Sequence, residues 1–184
     1  MISSRRPRRS GFTLAEVLVA FALIAILTAV IVPTVSGRMQ SAYENSIVAE
    51  FDNLSSGIAA YRQDVGKYPP SLDYLTALPT TPKDRCGVNL STSAKANYRG
   101  PYVTREITTT YVFASKDTVN ATITTKSSPV GIGITMLGPD TRTVDDVDVM
   151  IDGFVNQTSG AVQWAITGSD NALTYIIPTM SGAC

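Results

Sequence analysis

Glu16 is the side chain whose position most needs a chemical explanation, because it is the only charged residue between Phe12 and Val35. From Val17 to Val32 only Thr28 is polar, and its hydroxyl can bond to the preceding helical turn. A charged carboxylate within a membrane helix costs on the order of 2.5–3.5 kcal/mol, so such residues usually mark a function or a partner. Two interpretations are open: Glu16 reaches the lipid headgroups from the helix end, or a cation from another subunit neutralises it.

The segment around Glu16 has the length and composition of a transmembrane helix. A helix from Phe12 to Val35 spans roughly 36 Å, which is enough to cross the hydrocarbon core of a bilayer with some tilt. Four arginines lie between positions 5 and 9, and because basic residues favour the cytoplasmic side, we expect the rest of the chain outside the cytoplasm. The alternative is a secretory signal peptide cleaved near Gly37, but the apolar run is longer than such a peptide needs.

The run from Gly11 to Leu18 reads GFTLAEVL in one-letter code and resembles the prepilin processing motif of type IV pilins and type II secretion pseudopilins. The resemblance implies that a membrane aspartyl peptidase, the prepilin peptidase, cuts between Gly11 and Phe12 and methylates the new amino terminus of Phe12. It also implies that Glu16, the fifth mature residue, pairs with the N-terminal amine of a neighbouring subunit in a filament. Pro33 falls where many family members have a helix-kinking proline, so Phe12, Glu16 and Pro33 are the predicted assembly residues.

Two shorter stretches after the long helix also resemble the family. Gly66 to Leu75 reads GKYPPSLDYL and is similar to the corresponding segment of major pseudopilins. Gly100-Pro101-Tyr102 resembles a further element found after it. The resemblance therefore implies that the head of this protein is most like that of a major pseudopilin.

Cys86 and Cys184 are the two cysteines of the chain. In an extracytoplasmic domain an isolated pair is most simply a disulfide. In the chain-entropy model a closed loop of this size stabilises the fold by up to about 4.7 kcal/mol. Two unrelated free thiols are the alternative. Many type IV pilins tie their C-terminal region with a disulfide, so the resemblance agrees in kind, although the bridged loop in those proteins is usually much shorter.

A cluster of carboxylates between positions 140 and 152 could bind a hard cation. Loop carboxylates with nearby carbonyl groups suit Ca²⁺, and the candidate ligands are Asp140, Asp145, Asp146 and Asp148. Leu137 to Asp140 resembles the Leu-Gly-x-Asp loop of major pseudopilins, which binds calcium there, but Pro139 and the residues at 142–144 replace its glycine-rich stretch. A solvated acidic strand and loop is the alternative, and no other cofactor is predicted.

Composition argues against catalysis and against nucleic-acid binding. The chain contains no histidine, which removes the commonest general base and the commonest transition-metal ligand. It has 15 basic and 15 acidic residues, and loss of the four leader arginines gives the mature chain a net charge of about −4. A mildly acidic domain lacks the basic patch of a nucleic-acid binder, so neither an enzyme nor a nucleic-acid partner is predicted.

Periodicity predicts the remaining elements. Apolar residues recur at three- and four-residue steps and predict that the helix continues to Val65 with one buried stripe, formed by Ala42, Ile47, Val48, Phe51, Leu54, Ile58 and Tyr61. Gly66 is its predicted C-cap, and Pro33 should bend or locally melt it. A short helix after Ser71 and an irregular stretch over 83–100 are expected to follow. Period-two patterns then predict six strands, at Thr109–Ser115, Val119–Thr125, Val130–Leu137, Val144–Ile151, Ala161–Ile166 and Leu173–Ile177.

Together these patterns predict an α+β protein in which a long N-terminal helix, transmembrane in its first half and amphipathic in its second, packs on an antiparallel sheet as in the pilin fold. We expect a leader at 1–11, a transmembrane and assembly half-helix at 12–35, and a periplasmic or extracellular head at 36–184. The predicted function is a structural subunit that leaves the bacterial inner membrane to form a homo-oligomeric helical filament, either a type II secretion pseudopilus or a type IV pilus. The resemblance implies the prepilin peptidase, an inner-membrane assembly platform and minor pilins or pseudopilins as partners. A monomeric membrane-anchored or secreted binding domain is the alternative.

Overall fold

The computed structural model describes residues 12–105, 107, 110–113, 117–120, 122–127, 130–167 and 170–179. Its helices are α1 (Leu14–Val65), a 3₁₀ helix (Leu72–Leu75), α2 (Thr92–Asn97) and α3 (Thr141–Asp152). Its strands are β1 (Thr110–Phe113), β2 (Asp117–Asn120), β3 (Thr124–Ser127), β4 (Val130–Leu137), β5 (Val162–Thr167) and β6 (Asp170–Pro178). Internal contacts divide the chain into two units, Met1–Ser41 and Ala42–Cys184, which are described separately below.

Helix α1 ends where the sequence predicts. Its last residue is Val65, and Gly66 follows with a φ of +78°, the left-handed conformation that glycine adopts without a steric penalty. The Gly66 N–H donates to the carbonyl oxygen of Arg62 over 2.8 Å and so closes the last turn. Pro33 lies inside α1 and the helix is continuous through it, so the predicted local melting does not occur.

The second unit is built around one stripe of α1. Ile47, Phe51, Leu54, Ile58 and Tyr61 are all buried, as predicted. Val48 is half-buried and Ala42 is exposed, so the predicted stripe is wrong at its first residue. The ring of Phe51 stacks on Tyr175 of β6 with 5.2 Å between their centroids, which places this part of α1 against the sheet.

The sheet is antiparallel throughout its described pairs, and the predicted α+β fold is confirmed. Its strand order is β1-β2-β4-β6-β5, with β3 also pairing with β4. The central strand β4 has the predicted bounds and pairs with β6 over seven residues, from Gly131 opposite Pro178 to Leu137 opposite Ala172. Ile132, Ile134 and Met136 of β4 alternate with smaller or polar residues and are fully buried, as expected for a strand with one face on the core.

Three predictions about the head are wrong. The predicted strand Val144–Ile151 is the helix α3, because Asp140 caps its first turn and Gly153, with a φ of +81°, ends it. The predicted strand Val119–Thr125 is divided between β2 and β3. The stretch over 83–100, predicted to be irregular, contains the short helix α2. Ser91 is the N-cap of this helix, and its hydroxyl oxygen accepts a hydrogen bond from the Ala94 N–H over 3.1 Å.

Candidate functional site

The first unit presents apolar side chains on every face of its helix. Residues 12–39 are all exposed in the isolated chain, and three on different sides illustrate it: Phe21 is 65 % exposed, Ile26 64 % and Leu27 60 %. Within the described residues α1 is the one helix long and apolar enough to cross a membrane, with a mean hydropathy of 2.7 in its most apolar window. Such a surface is stable only against lipid or other apolar helices.

The hydroxyl groups of this segment are satisfied within the helix itself. Thr28 donates to the carbonyl oxygens of Ile24 at 2.9 Å and Ala25 at 3.0 Å. Thr34 and Ser36 lie in the turn after Pro33. Thr34 donates to the carbonyl oxygen of Ile31 at 2.7 Å, and Ser36 donates to that of Val32 at 3.1 Å. These polar residues therefore need no external partner in a bilayer.

Glu16 caps its own helix, a role that the sequence reasoning missed. Its Oε2 accepts hydrogen bonds from the Thr13 N–H at 2.8 Å and from the Thr13 hydroxyl at 2.9 Å. In return the Glu16 N–H donates to Thr13 Oγ1 at 3.3 Å. This reciprocal arrangement is a capping box, which satisfies N–H groups that the first turn of a helix otherwise leaves without partners. The Thr-x-x-Glu spacing was the signal in the sequence that could have predicted it.

The two carboxylate oxygens of Glu16 therefore have different surroundings. Oε2 receives both bonds from Thr13, whereas no hydrogen bond to Oε1 is present among the described residues. Glu16 lines a groove on the helix surface together with Ala15, Val19, Ala20 and Leu23, so its neighbours on this face of the helix are small and apolar. A carboxylate in this setting can cap its helix and still accept a cation from outside the chain.

The predicted processing site is only partly within the described residues. Phe12 is 88 % exposed immediately before the cap, and Gly11 lies outside the described range. Cys184 also lies outside it, so the disulfide between Cys86 and Cys184 stays a prediction.

The structure distributes the predicted calcium ligands along α3. Asp140 Oδ1 accepts the Thr143 N–H at 2.8 Å as the N-cap, and Asp146 lies 3.8 Å from Arg142 in an exposed ion pair. Asp148 is fully buried and its Oδ2 accepts the Asn156 N–H at 2.8 Å. Asp145 has one buried oxygen for which the described residues offer no hydrogen-bond partner.

Burial raises the pKa of Asp148 above its ordinary value, and the charges of Asp152 and Asp145 add to this effect while the Asn156 N–H opposes it. Across the described part of the chain, no three Asp, Glu, Cys or His side chains are grouped so that they could hold a metal ion. Asp140 and Asp148 therefore stabilise the start of α3 and the chain that follows it, through their hydrogen bonds to backbone N–H groups. Calcium binding stays a prediction.

A capped apolar helix of membrane-spanning length joined to an α+β head defines a pilin-like protein. The family described as "Prokaryotic N-terminal methylation motif" matches residues 6–32, and the family described as "Type II secretion system (T2SS), protein G" matches residues 34–120. The resemblance to the family of type IV pilins and type II secretion pseudopilins is therefore confirmed over these two regions.

Curated relatives agree with these matches. The chain is 33 % identical over 78 residues to the type II secretion system core protein G of Klebsiella michiganensis, covering 42 % of this chain and 55 % of that protein. It is 30 % identical over 102 residues to the protein of the same name from Vibrio cholerae, covering 53 % of this chain and 62 % of that protein. The chain thus spans about half the length of the curated relatives it matches. No solved structure matches it significantly.

Proposed function

We propose that this chain is a structural subunit of a type II secretion pseudopilus, which polymerises through its apolar N-terminal helix. The observation that carries the proposal is the segment from Leu14 to Val35, whose apolar side chains are exposed on every face. Lipid covers this surface before assembly, and the same segments of neighbouring copies cover it in the filament. The likeness to protein G favours the secretion pseudopilus over a surface pilus.

Glu16 fixes the register of this polymer. A carboxylate left without a cation among apolar helices is costly, so the arrangement in which Oε1 of each Glu16 meets the N-terminal amine of a neighbour is favoured over shifted ones. For that amine to exist, the leader must be removed between Gly11 and Phe12. The prepilin peptidase, an inner-membrane assembly platform and minor pseudopilins are therefore the proposed partners, and the bacterial inner membrane is the proposed site of the subunit before assembly.

The test separates the two roles of Glu16 in the full chain, expressed in its host. Glu16→Gln keeps a carbonyl oxygen that can accept the Thr13 bonds but removes the charge, whereas Thr13→Val keeps the charge and removes the hydroxyl of the cap. We expect Glu16→Gln and Glu16→Ala to insert in the membrane and to yield about tenfold less sheared filament than wild type. Thr13→Val should reduce the yield much less.

Two results would overturn the proposal. If Glu16→Gln assembles like wild type while Thr13→Val does not, Glu16 acts only as a helix cap. Mass spectrometry of the mature N-terminus is the second measurement, and N-methyl-Phe12 is the expected result. A mature chain that begins after Gly37, or that keeps the leader, together with an absence of filaments would favour the monomeric binding domain.

A further inference from the structure

A groove lies at the point where helix α1 ends. Its volume is about 370 Å³, and its walls come from the residues that end and follow α1, from the turn over 84–90 and from the start of α2. Val65 and Leu90, each 6 % exposed, are its buried apolar residues. Lys67 and Cys86 also line it. We call this cavity the helix-end groove.

The turn that carries Cys86 is held in place by Asp84. Asp84 Oδ1 accepts the N–H groups of Cys86 and Val88 at 3.0 and 2.9 Å, and the Asp84 N–H donates to the Val88 carbonyl oxygen over 2.7 Å. Gly87 completes the turn with a φ of +78°, which glycine adopts without a steric penalty. Asp84 is only 5 % exposed, whereas Cys86 is exposed. Cys86 is therefore held at an accessible position beside the helix-end groove.

Strand β6 ends close to the same groove. Pro178, its last residue, lines a cavity of about 200 Å³ together with Arg62 and Tyr68. The Arg62 guanidinium lies over the Tyr68 ring, 4.6 Å from its centroid. The groove residues at 65–67 are part of the short stretch of chain that joins Arg62 to Tyr68. The end of β6 and the helix-end groove are therefore neighbours within the second unit.

The segment that follows β6 is long enough to enter the groove. Residues 180–184, which lie outside the described range, follow Thr179 and read MSGAC in one-letter code. An extended chain of five residues spans at most about 17 Å, whereas five residues of helix, the separation of Arg62 from Lys67, rise about 8 Å. Three small residues precede Cys184, so the backbone there can approach the wall of a narrow groove. Cys184 can therefore reach Cys86 while β6 keeps its place in the sheet.

We propose that residues 180–184 of the same chain occupy the helix-end groove and that Cys184 bonds to Cys86 there. The inference goes beyond the proposed function, because it concerns the head of a single subunit. A disulfide places the Cα atoms of its cysteines about 4.4–6.8 Å apart, so the residues just before Cys184 lie at the groove as well. The segment then joins three parts of the head that are distant in sequence: the end of β6, the end of α1 and the turn over 84–90.

Formation of the bond needs an oxidant that carries a disulfide, outside the cytoplasm. The thiolate of one cysteine attacks a sulfur of that disulfide and displaces one thiolate of the oxidant, which gives a mixed disulfide. The thiolate of the other cysteine then attacks the cysteine sulfur of the mixed disulfide and displaces the second thiolate of the oxidant. Two electrons and the two thiol protons pass to the oxidant, which leaves as a dithiol.

The first measurement locates the bond in the full chain, purified in detergent from its host. Peptide mapping by mass spectrometry without reductant should find Cys86 joined to Cys184 within one chain. Two free thiols would overturn the inference. A bond between two copies, seen as a dimer on a non-reducing gel, would overturn it as well.

The second measurement tests whether the segment lies in the groove, with Lys67 as the reporter. Lys67 lines the groove and its side chain is 45 % exposed. Titration of the full chain with glutathione measures how easily the bond is reduced. Ala183→Asp should make reduction harder than Ala183→Lys by about fivefold, because only the bonded segment holds position 183 beside the Lys67 ammonium.

Two background substitutions make this result specific. In the Lys67→Ala chain the difference between Ala183→Asp and Ala183→Lys should fall below about twofold, since the two sites are then uncoupled. The matched control Lys83→Ala removes another exposed lysine, which is outside the described lining of the groove, and should leave the fivefold difference unchanged. Equal reduction of the two Ala183 variants, or a difference that survives Lys67→Ala, would overturn the docking of this segment. All of these measurements use the chain in detergent, so they hold whether or not it forms filaments.

Discussion

Asp152 holds the end of α3 to the start of β5, and its removal is the sharpest test of how the head is built. Its Oδ1 accepts the Ala161 N–H at 3.0 Å and its Oδ2 accepts the Val162 N–H at 2.8 Å. Val162 is fully buried, so its N–H has no ready substitute in water. Hydrogen bonds to a charged group each contribute about 1.5–3 kcal/mol, and Asp152→Ala should lower the free energy of unfolding by about 3 kcal/mol.

Two further variants make the result specific. Asp152→Asn keeps one acceptor oxygen and should cost about half as much. Asp146→Ala removes an acid from the same helix, but its 3.8 Å pair with Arg142 is solvent-exposed, so the expected cost is below about 0.5 kcal/mol. Gly160→Ala should mimic the loss of Asp152, because a methyl group at position 160 would overlap its carboxylate and the φ of +98° is strained for any other residue.

The assay is urea unfolding of the full chain in detergent, followed by fluorescence. Trp164 is the only tryptophan of the chain and lies on β5, two residues after Val162, so its emission reports directly on the strand that Asp152 holds. If Asp152→Ala unfolds within about 0.5 kcal/mol of both wild type and Asp146→Ala, the two hydrogen bonds do not hold α3 to the sheet.

Three other substitutions in the head should change the free energy of unfolding. Asp148→Asn should raise the free energy of unfolding at pH 7 and change it little near pH 3.5. The folded state raises the pKa of Asp148, so ionisation of this carboxyl costs stability as the pH rises. Urea unfolding at the two pH values measures the difference. Asp140→Ala removes the N-cap of α3 and should lower the free energy of unfolding in EDTA by about 1 kcal/mol. A larger loss in millimolar calcium would indicate a metal site at the same residue. Thermal unfolding in the two buffers measures both values. Gly131→Ala should cost about 1–3 kcal/mol by overpacking, because its added carbon would meet the carbonyl oxygen of Ile177 across the sheet; denaturant unfolding would show it.

The parts of the fold that the sequence predicts well are those with one dominant signal. The strand Val130–Leu137 has the predicted bounds, because its alternating apolar residues lie between turn residues and the strand is central in the sheet. The end of α1 at Val65 was also predicted, since Gly66 and the two prolines that follow forbid a further turn. The edge strand β5 lies within one residue of its predicted bounds at each end. Strand β6 begins three residues before the predicted Leu173, because its polar first residues pair with β5, a tertiary contact that the apolar pattern does not show.

The sequence identifies Glu16 through the free-energy cost of its charge, but it does not by itself reveal the hydrogen bonds that Glu16 makes. Glu16 was predicted to matter because a charge in an apolar segment is expensive, and this reasoning looks outward for a partner. The structure adds a local partner, Thr13, which was visible in the Thr-x-x-Glu spacing but had been given no role. The capping box does not replace the outward partner, since it involves one carboxylate oxygen and leaves a net negative charge to be neutralised.

Helix α3 shows why the period of a short apolar pattern can mislead. Val147, Val149 and Ile151 alternate as in a strand, and β-branched residues favour strands, but Val144, Val147 and Ile151 also follow a helical spacing. The helix forms because Asp140 begins it, Gly153 ends it and the core buries Val144 and Val147 on one side. Val149 is the residue that distinguishes the two arrangements, since a strand with Val147 and Val149 on alternate core positions would bury both. In the helix Val149 is 46 % exposed, so the helical arrangement leaves this apolar side chain partly on the surface.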